Sequence, residues 1–418
     1  MKSSKETILD ALNHKSGSGV PVDFGATSVT GIHCRVVDAL RRHYGLEEKP
    51  VKIIEPFQML GEVDEELQAI MCVDVVGVWG RENMFAIDET RLHEQRTPWG
   101  QQVLIAEDID LTPDEKGDIY IHPRGDRRSP PSAVMPDGCF FVNAIERGGT
   151  VDDETLLVED NLEEFGPLSE ADLEHFARQA TKASATGKAV VAGFGGTALG
   201  DIAFVPAMGL THPKGIRSIA EWYMSTILRP DYIHRIFERQ TDIAIENYRL
   251  LWEKIGNKVD VVFTCGTDFG TQTSQFCSAE TFGELWLPHY KRMNDWIHKN
   301  TSWKVFKHCC GSIVPLLPLM IEAGFDIMNP VQINAKDMDS QRLKAEFGEA
   351  LVFWGGGVDT QKVLPTGTPA QVREHILRQC EIFGQNGGFV FNTVHNIQAN
   401  VPIENVVSMI DTLQSIRQ

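Results

Sequence analysis

Eight short runs rich in Val, Ile and Phe recur along the chain, each bounded by Gly, Pro or Asp, at 20–24, 73–78, 189–194, 259–264, 304–308, 325–328, 351–354 and 388–392. Helix-length patterns separate them. Near-continuous apolar strands alternating with amphipathic helices are what a parallel sheet covered on its faces requires. Between the last five runs the intervals are short and each holds one helix. The expected class is therefore α/β, a (β/α)8 TIM barrel whose strands deliver their C-terminal ends to one mouth, with a doubly wound open sheet as the competing arrangement. A single domain over 1–418 accommodates all eight units.

Two helices carry explicit start signals. Thr368-Pro369-Ala370-Gln371 combines an N-cap, a proline at the first helical position and a glutamine that reaches back, after which Val372, Ile376, Cys380 and Phe383 share one stripe. A last helix begins near Pro402, with Ile403, Val406, Val407, Ile410 and Leu413 following the helical period. The stretch 91–150 departs from the pattern. It alternates polar and apolar residues at 102–105 and 118–121 and turns proline-rich at Pro123, Pro130, Pro131 and Pro136. We expect a β-hairpin and proline-rich insertion after the second strand, inside the one domain.

Charge limits the partners. Lys and Arg number 39 against 58 Asp and Glu, a formal net charge of −19, which opposes binding to nucleic acid and to anionic membranes. No apolar run approaches the roughly 20 residues of a membrane-spanning helix. The first fifteen residues read as an amphipathic helix rather than a secretion signal. A soluble, cytoplasmic protein is expected. The eight cysteines, at 34, 72, 139, 265, 277, 309, 310 and 380, are scattered instead of forming a disulfide framework.

The adjacent pair Cys309 and Cys310 follows His308 at the end of the fifth candidate strand. His308 and Cys310 can then point at one centre above the barrel, and imidazole with thiolate suits zinc. The competing reading is a hydrogen-bonded core histidine beside two small hydrophobic thiols. His395 lies just after the eighth candidate strand, whose loop faces the fifth across a closed barrel, and offers a third metal ligand. Other strand ends carry Asp23, Asp268, Asn329, Gln332 and Asp359, where barrel enzymes hold substrate, although helix capping or loop structure explains any one of them taken alone. Residues 193–198 satisfy a loose G-x-G-x-x-A dinucleotide pattern, but Pro206, Gly209 and Pro213 follow where that pattern needs an uninterrupted helix.

Several of these pieces resemble one family. Thr7-Ile8-Leu9-Asp10-Ala11-Leu12-Asn13-His14 with Val20-Pro21-Val22-Asp23, then Lys307-His308-Cys309-Cys310-Gly311-Ser312, Ala323-Gly324-Phe325-Asp326-Ile327-Met328-Asn329-Pro330-Val331-Gln332, Trp354-Gly355-Gly356-Gly357-Val358-Asp359-Thr360 and Pro402-Ile403-Glu404-Asn405-Val406 are similar to the uroporphyrinogen decarboxylase superfamily. The resemblance implies a (β/α)8 barrel. It also implies either a porphyrinogen decarboxylase or a zinc-dependent cobalamin methyltransferase. The decarboxylases carry an arginine-rich stretch near the N-terminus that meets substrate carboxylates, whereas Asp23-Phe24-Gly25-Ala26-Thr27-Ser28 stands here, with no arginine. The methyltransferases use a His-x-Cys pair and a later Cys as zinc ligands. His308 and Cys310 match the pair, and His395 stands in the place of the second Cys.

One thiolate and two imidazoles leave a zinc site formally more positive than two thiolates and one imidazole, which favours polarising an oxygen or nitrogen over activating a thiol. The resemblance thus implies methyl transfer from a small O- or N-methylated donor to the cobalt of a corrinoid (cobalamin) held by a separate protein. In that reading His308, Cys310 and His395 hold zinc, Asp268 or Asp359 orients the donor, and Asp23, Asn329 and Gln332 bind substrate. The readings left standing are methylcobalamin:thiol methyl transfer, decarboxylation of a smaller carboxylated substrate, and a non-catalytic corrinoid- or metabolite-binding barrel. The 91–150 insertion would serve as a lid, a homodimer contact or the corrinoid protein's docking surface.

Overall fold

The computed structural model describes residues 2–17, 19–195 and 197–417. Seven of the eight apolar runs form one parallel sheet: β1 (Val75–Val78), β2 (Ala189–Ala192), β3 (Val261–Cys265), β4 (Lys304–His308), β5 (Ile327–Asn329), β6 (Val352–Trp354) and β7 (Phe389–Val390). Their spatial order is their chain order. Helices fill the crossovers between β2 and β7, among them Pro230–Ile255, Leu287–Asn300, Ser340–Phe347 and Pro369–Phe383.

The sheet is curled, because both its edges reach the same three residues. Phe391, just after β7, donates its N–H to Pro21 O at 2.8 Å and accepts the N–H of Asp23 at 2.9 Å. On the other side Asp74, just before β1, donates its N–H to Val22 O at 2.8 Å and accepts the Val22 N–H on its carboxylate at 2.9 Å. The run at 20–24 therefore contributes a single parallel bridge, Val22 to Phe391, instead of a full strand. Pro21 has no N–H to give a ladder, and that of Val22 is taken by a side chain.

Side chains alternate across the curl, as a pleated strand requires. Val75, Val191, Val261, Phe306, Ile327, Val352, Trp354 and Val390 point inward and form one buried cluster. Ile8, Ala11 and Leu12, from a helix (Ser4–Leu12) started by a Ser3–Glu6 capping box, join that cluster. The alternate residues Val190, Val262, Val305, Met328, Phe353 and Phe389 belong to the larger core shared with the outer helices. His308 shares the inward parity of Phe306, and Lys307 shares the outward parity of Val305.

The Thr368–Gln371 capping box starts helix Pro369–Phe383, with Val372, Ile376, Cys380 and Phe383 buried. The last helix, Ile403–Arg417, buries Val406, Met409, Ile410 and Leu413 and ends in an Arg417–Asp74 ion pair at 2.6 Å. Within 91–150 an antiparallel hairpin joins Leu92–Arg96 to Gln102–Ala106, and a separate three-stranded sheet unites Ile119–Ile121, Ala133–Met135 and Asn143–Ala144. The hairpin extends a sheet begun by Ile32–His33, Val51–Glu55 and Leu60–Gly61. All eight cysteines are free thiols. Among the described residues no helix is long and apolar enough to cross a membrane.

Candidate metal centre

His308 ends β4 and lies opposite Asn329, the last residue of β5, in the parallel register. The Asn329 amide nitrogen donates to Trp354 O at 2.8 Å, which turns its oxygen toward His308. That oxygen accepts the His308 Nδ1–H at 2.7 Å. The proton is thereby fixed on Nδ1, and Nε2 keeps its lone pair. Cys310 Sγ lies 3.3 Å from this Nε2.

The loop after His308 is pinned from both sides. Asp268, following β3, accepts the Cys310 N–H at 2.6 Å, and Gln332, following β5, accepts the Gly311 N–H at 2.7 Å. Gly311 adopts φ +91°, and a Cβ there would fall 2.2 Å from the Gly270 carbonyl carbon. Only glycine lets the β3 and β4 loops touch at this point. Cys309 turns away from the mouth: it is fully buried, and its sulfur accepts the Phe269 N–H at 3.2 Å. The two adjacent thiols therefore have different surroundings.

His395, in the loop after β7, completes a cluster in which one ligand atom each from His308, Cys310 and His395 lies within 4.8 Å of the others. The two imidazole rings stand 5.4 Å apart and nearly perpendicular, at 80°. In a tetrahedral zinc site neighbouring nitrogen and sulfur ligands are roughly 3.5 Å apart. The His308–Cys310 spacing already matches, and His395 reaches that geometry by closing about 1 Å. His395 Nδ1 accepts the Asn396 N–H at 2.8 Å, so its neutral ring carries the proton on Nε2. Ligation through Nε2 would require that proton to move and the backbone contact to yield.

Electrostatics keeps both imidazoles in the neutral form a metal needs and holds the thiol protonated until a cation arrives. Burial pushes His308 down to about 4, and burial with the nearby His308 pushes His395 down to about 4, so both rings are neutral at pH 7. Burial, then the charge of Asp268, raises the Cys310 thiol well above its ordinary value. A bound cation would reverse this, since a coordinated thiol is deprotonated. Asp268 Oδ1 lies 3.9 Å from His308 Nε2 and brings a negative charge to the cluster's edge.

The remaining expected residues are engaged in the fold around this centre. Asp23 is fully buried, accepts Trp354 Nε1–H at 2.9 Å and the Ala26 N–H at 3.2 Å, and is pushed up to about 6 by burial. Asp359 Oδ1 accepts from Gln361 N, Lys362 N and Asn334 Nδ2 at 2.7, 3.1 and 2.9 Å. Asn329 and Gln332 hold His308 and the Cys310 loop as described. Of the glycine pattern at 193–198, Gly196 lies outside the described residues, and the next helix begins only at Ile219.

Sequence reasoning passed over three residues. Lys307 is completely buried beside His308. Asp201 is buried and pushed up to about 6 by burial, then by the charge of Asp268. Tyr223 stacks on Phe276 with ring centroids 4.8 Å apart, and its hydroxyl is buried with no hydrogen-bond partner among the described residues. A lysine of outward parity inside a strand was the one available signal.

Comparison with known proteins adds four findings. The uroporphyrinogen decarboxylase (URO-D) family profile matches residues 180–416, more than half of the chain. Among solved structures the chain is similar to a methyltransferase from Methanosarcina mazei, with 12% identity, 99% of each chain covered and a TM-score of 0.55. An endo-glycoceramidase II from Rhodococcus sp. is matched over 55% of this chain and 60% of that one, at 9% identity and a TM-score of 0.34. No curated protein matches.

Proposed function

The chain belongs to the uroporphyrinogen decarboxylase family, and from that premise we propose that it is a zinc-dependent corrinoid methyltransferase. It would move a methyl group from a small O- or N-methylated donor to the cobalt of a corrinoid carried by a separate protein. The observation that carries this reading is the His308 Nε2 lone pair, held 3.3 Å from Cys310 Sγ, with His395 closing the cluster. His308, Cys310 and His395 would hold zinc, which supplies Lewis acidity toward the donor's oxygen or nitrogen. The M. mazei protein of similar fold is a methyltransferase, which agrees with methyl transfer here.

The chain's own residues set the rest. Asn329 holds His308 in the ligand tautomer, which makes it a positioning residue instead of a substrate contact. Of the two candidate carboxylates, Asp268 takes the donor-facing role, because it is part-exposed beside the cluster while Asp359 is occupied by three donors. Asp23 is buried against Trp354 and offers nothing to a porphyrinogen's carboxylates, which argues against decarboxylation of that substrate. We read the 21–23 bridge as the first stave of a (β/α)8 barrel and 91–150 as an insertion on it.

Anaerobic incubation with cobalt(I) corrinoid and a panel of methoxylated and N-methylated donors tests the reading. Methylcobalt absorbance should appear with at least one donor and vanish on zinc removal. Methylation of a thiol from methylcobalamin, with no donor active, would overturn it.

A further inference from the structure

Lys307 is the least expected side chain in the molecule. It lies on the outward face of β4 and is completely buried between the sheet and helix Leu287–Asn300. No carboxylate oxygen lies within 4.0 Å of its Nζ among the described residues, unlike the buried guanidinium groups of Arg41, which pairs with Asp64 and Glu66, and Arg217, which pairs with Glu164. An ammonium without a counter-ion is expensive to bury, and a methionine would fill the same space without that penalty.

The contacts of Nζ indicate what the charge does. It donates to Thr267 O and to His308 O, each at 2.7 Å, with Cys265 Sγ at 3.8 Å. The rings of Phe269 and Tyr290 lie 5.4 and 5.6 Å away, within cation–π range. Thr267 immediately precedes Asp268, and His308 immediately precedes the Cys309–Cys310 loop. One ammonium thus ties the ends of β3 and β4 from behind, while Asp268 and the Cys310 N–H tie them in front.

We propose that Lys307 is a positioning residue for the metal centre: its buried cation clamps the β3 and β4 ends so that His308, Cys310 and Asp268 converge, and offsets the negative charge of the thiolate and carboxylate gathered there. This rests on the metal-centre reading above. A clamp made of charge predicts that an uncharged side chain of the same length leaves the fold intact and loosens the site.

Cobalt(II) titration of the metal-free full-length protein, followed by the thiolate-to-cobalt charge-transfer absorbance, tests it with a readout other than activity. Lys307→Met should weaken cobalt binding at least tenfold and diminish that absorbance, and Lys307→Arg should recover binding to within about threefold. Leu413→Ala, a remote core truncation, should lower thermal stability and leave cobalt affinity unchanged, which separates positioning from general destabilisation. Amide exchange at 309–311 in the metal-free protein should accelerate in Lys307→Met while that of 372–383 does not. If Lys307→Met fails to fold, Lys307→Gln, too short to reach both carbonyls, should show the same tenfold loss. Cobalt affinity within twofold of wild type in the folded neutral variant overturns the clamp alone. Equal cobalt binding by wild type and His308→Ala would overturn the metal-centre reading and the clamp with it.

Discussion

Asn329 Oδ1 sits 2.7 Å from His308 Nδ1 across adjacent parallel strands, and the other end of the same amide is fastened to Trp354 O. A single buried amide thus decides which nitrogen of His308 faces Cys310.

Removing that amide should therefore be felt at the metal. Asn329→Leu keeps the branching at Cγ but removes the acceptor, which leaves His308 free to turn or change tautomer. Zinc affinity should fall about 10- to 100-fold. Competition with a chromophoric chelator measures it, and affinity equal to wild type would show that the amide does not govern the site.

His395 determines the charge of the proposed site. Replacing it by cysteine converts one thiolate and two imidazoles into two thiolates and one imidazole. His395→Cys should retain zinc, lose methyl transfer from oxygen or nitrogen donors by at least tenfold, and gain transfer from methylcobalamin to a thiol. Parallel assays in the two directions check both changes.

Gly311 is where two backbones meet. Gly311→Ala would drive a Cβ to 2.2 Å from Gly270 while φ stays at +91°, so the β3 and β4 loops must part. A loss of roughly 2–3 kcal/mol in stability is expected, with loss of zinc. Urea denaturation and metal analysis on one preparation measure the two together.

Asp23 offers a test by pH. Burial raises its carboxyl from 3.8 to about 6, so the folded chain holds a proton the unfolded chain has released. A raised folded value adds stability at low pH that is lost as pH rises through about 6. The stability of wild type minus that of Asp23→Asn should therefore fall by about 2 kcal/mol between roughly pH 4.5 and 7.5. A difference independent of pH would contradict the buried, proton-holding carboxyl.

The parallel sheet was legible in the chain because all its strands but Lys304–His308 are almost wholly apolar on both faces, so each stands out without any knowledge of its partners. The run at 20–24 is apolar too, but whether it becomes a strand depends on Pro21 and on the carboxylate of Asp74, some fifty residues away. Ile32–His33 and Leu60–Gly61 are too short to leave a periodic trace. At the site, His308 and Cys310 are legible as a pair from local spacing. The amide behind His308, the carboxylate on the Cys310 N–H and the ammonium behind both loops all arise from register between separate strands. Strand-end position predicts that Asn329 and Gln332 lie near the centre. It does not reveal that each holds another residue in place.

The central claim is that one sulfur and two imidazole nitrogens, from Cys310, His308 and His395, bind one zinc. Zinc-edge X-ray absorption of the purified protein tests it most directly. The predicted first shell contains a single sulfur at about 2.3 Å and two imidazole nitrogens at about 2.0 Å, with the sulfur lost in Cys310→Ser. A shell without sulfur, or one unaltered in Cys310→Ser, would contradict it.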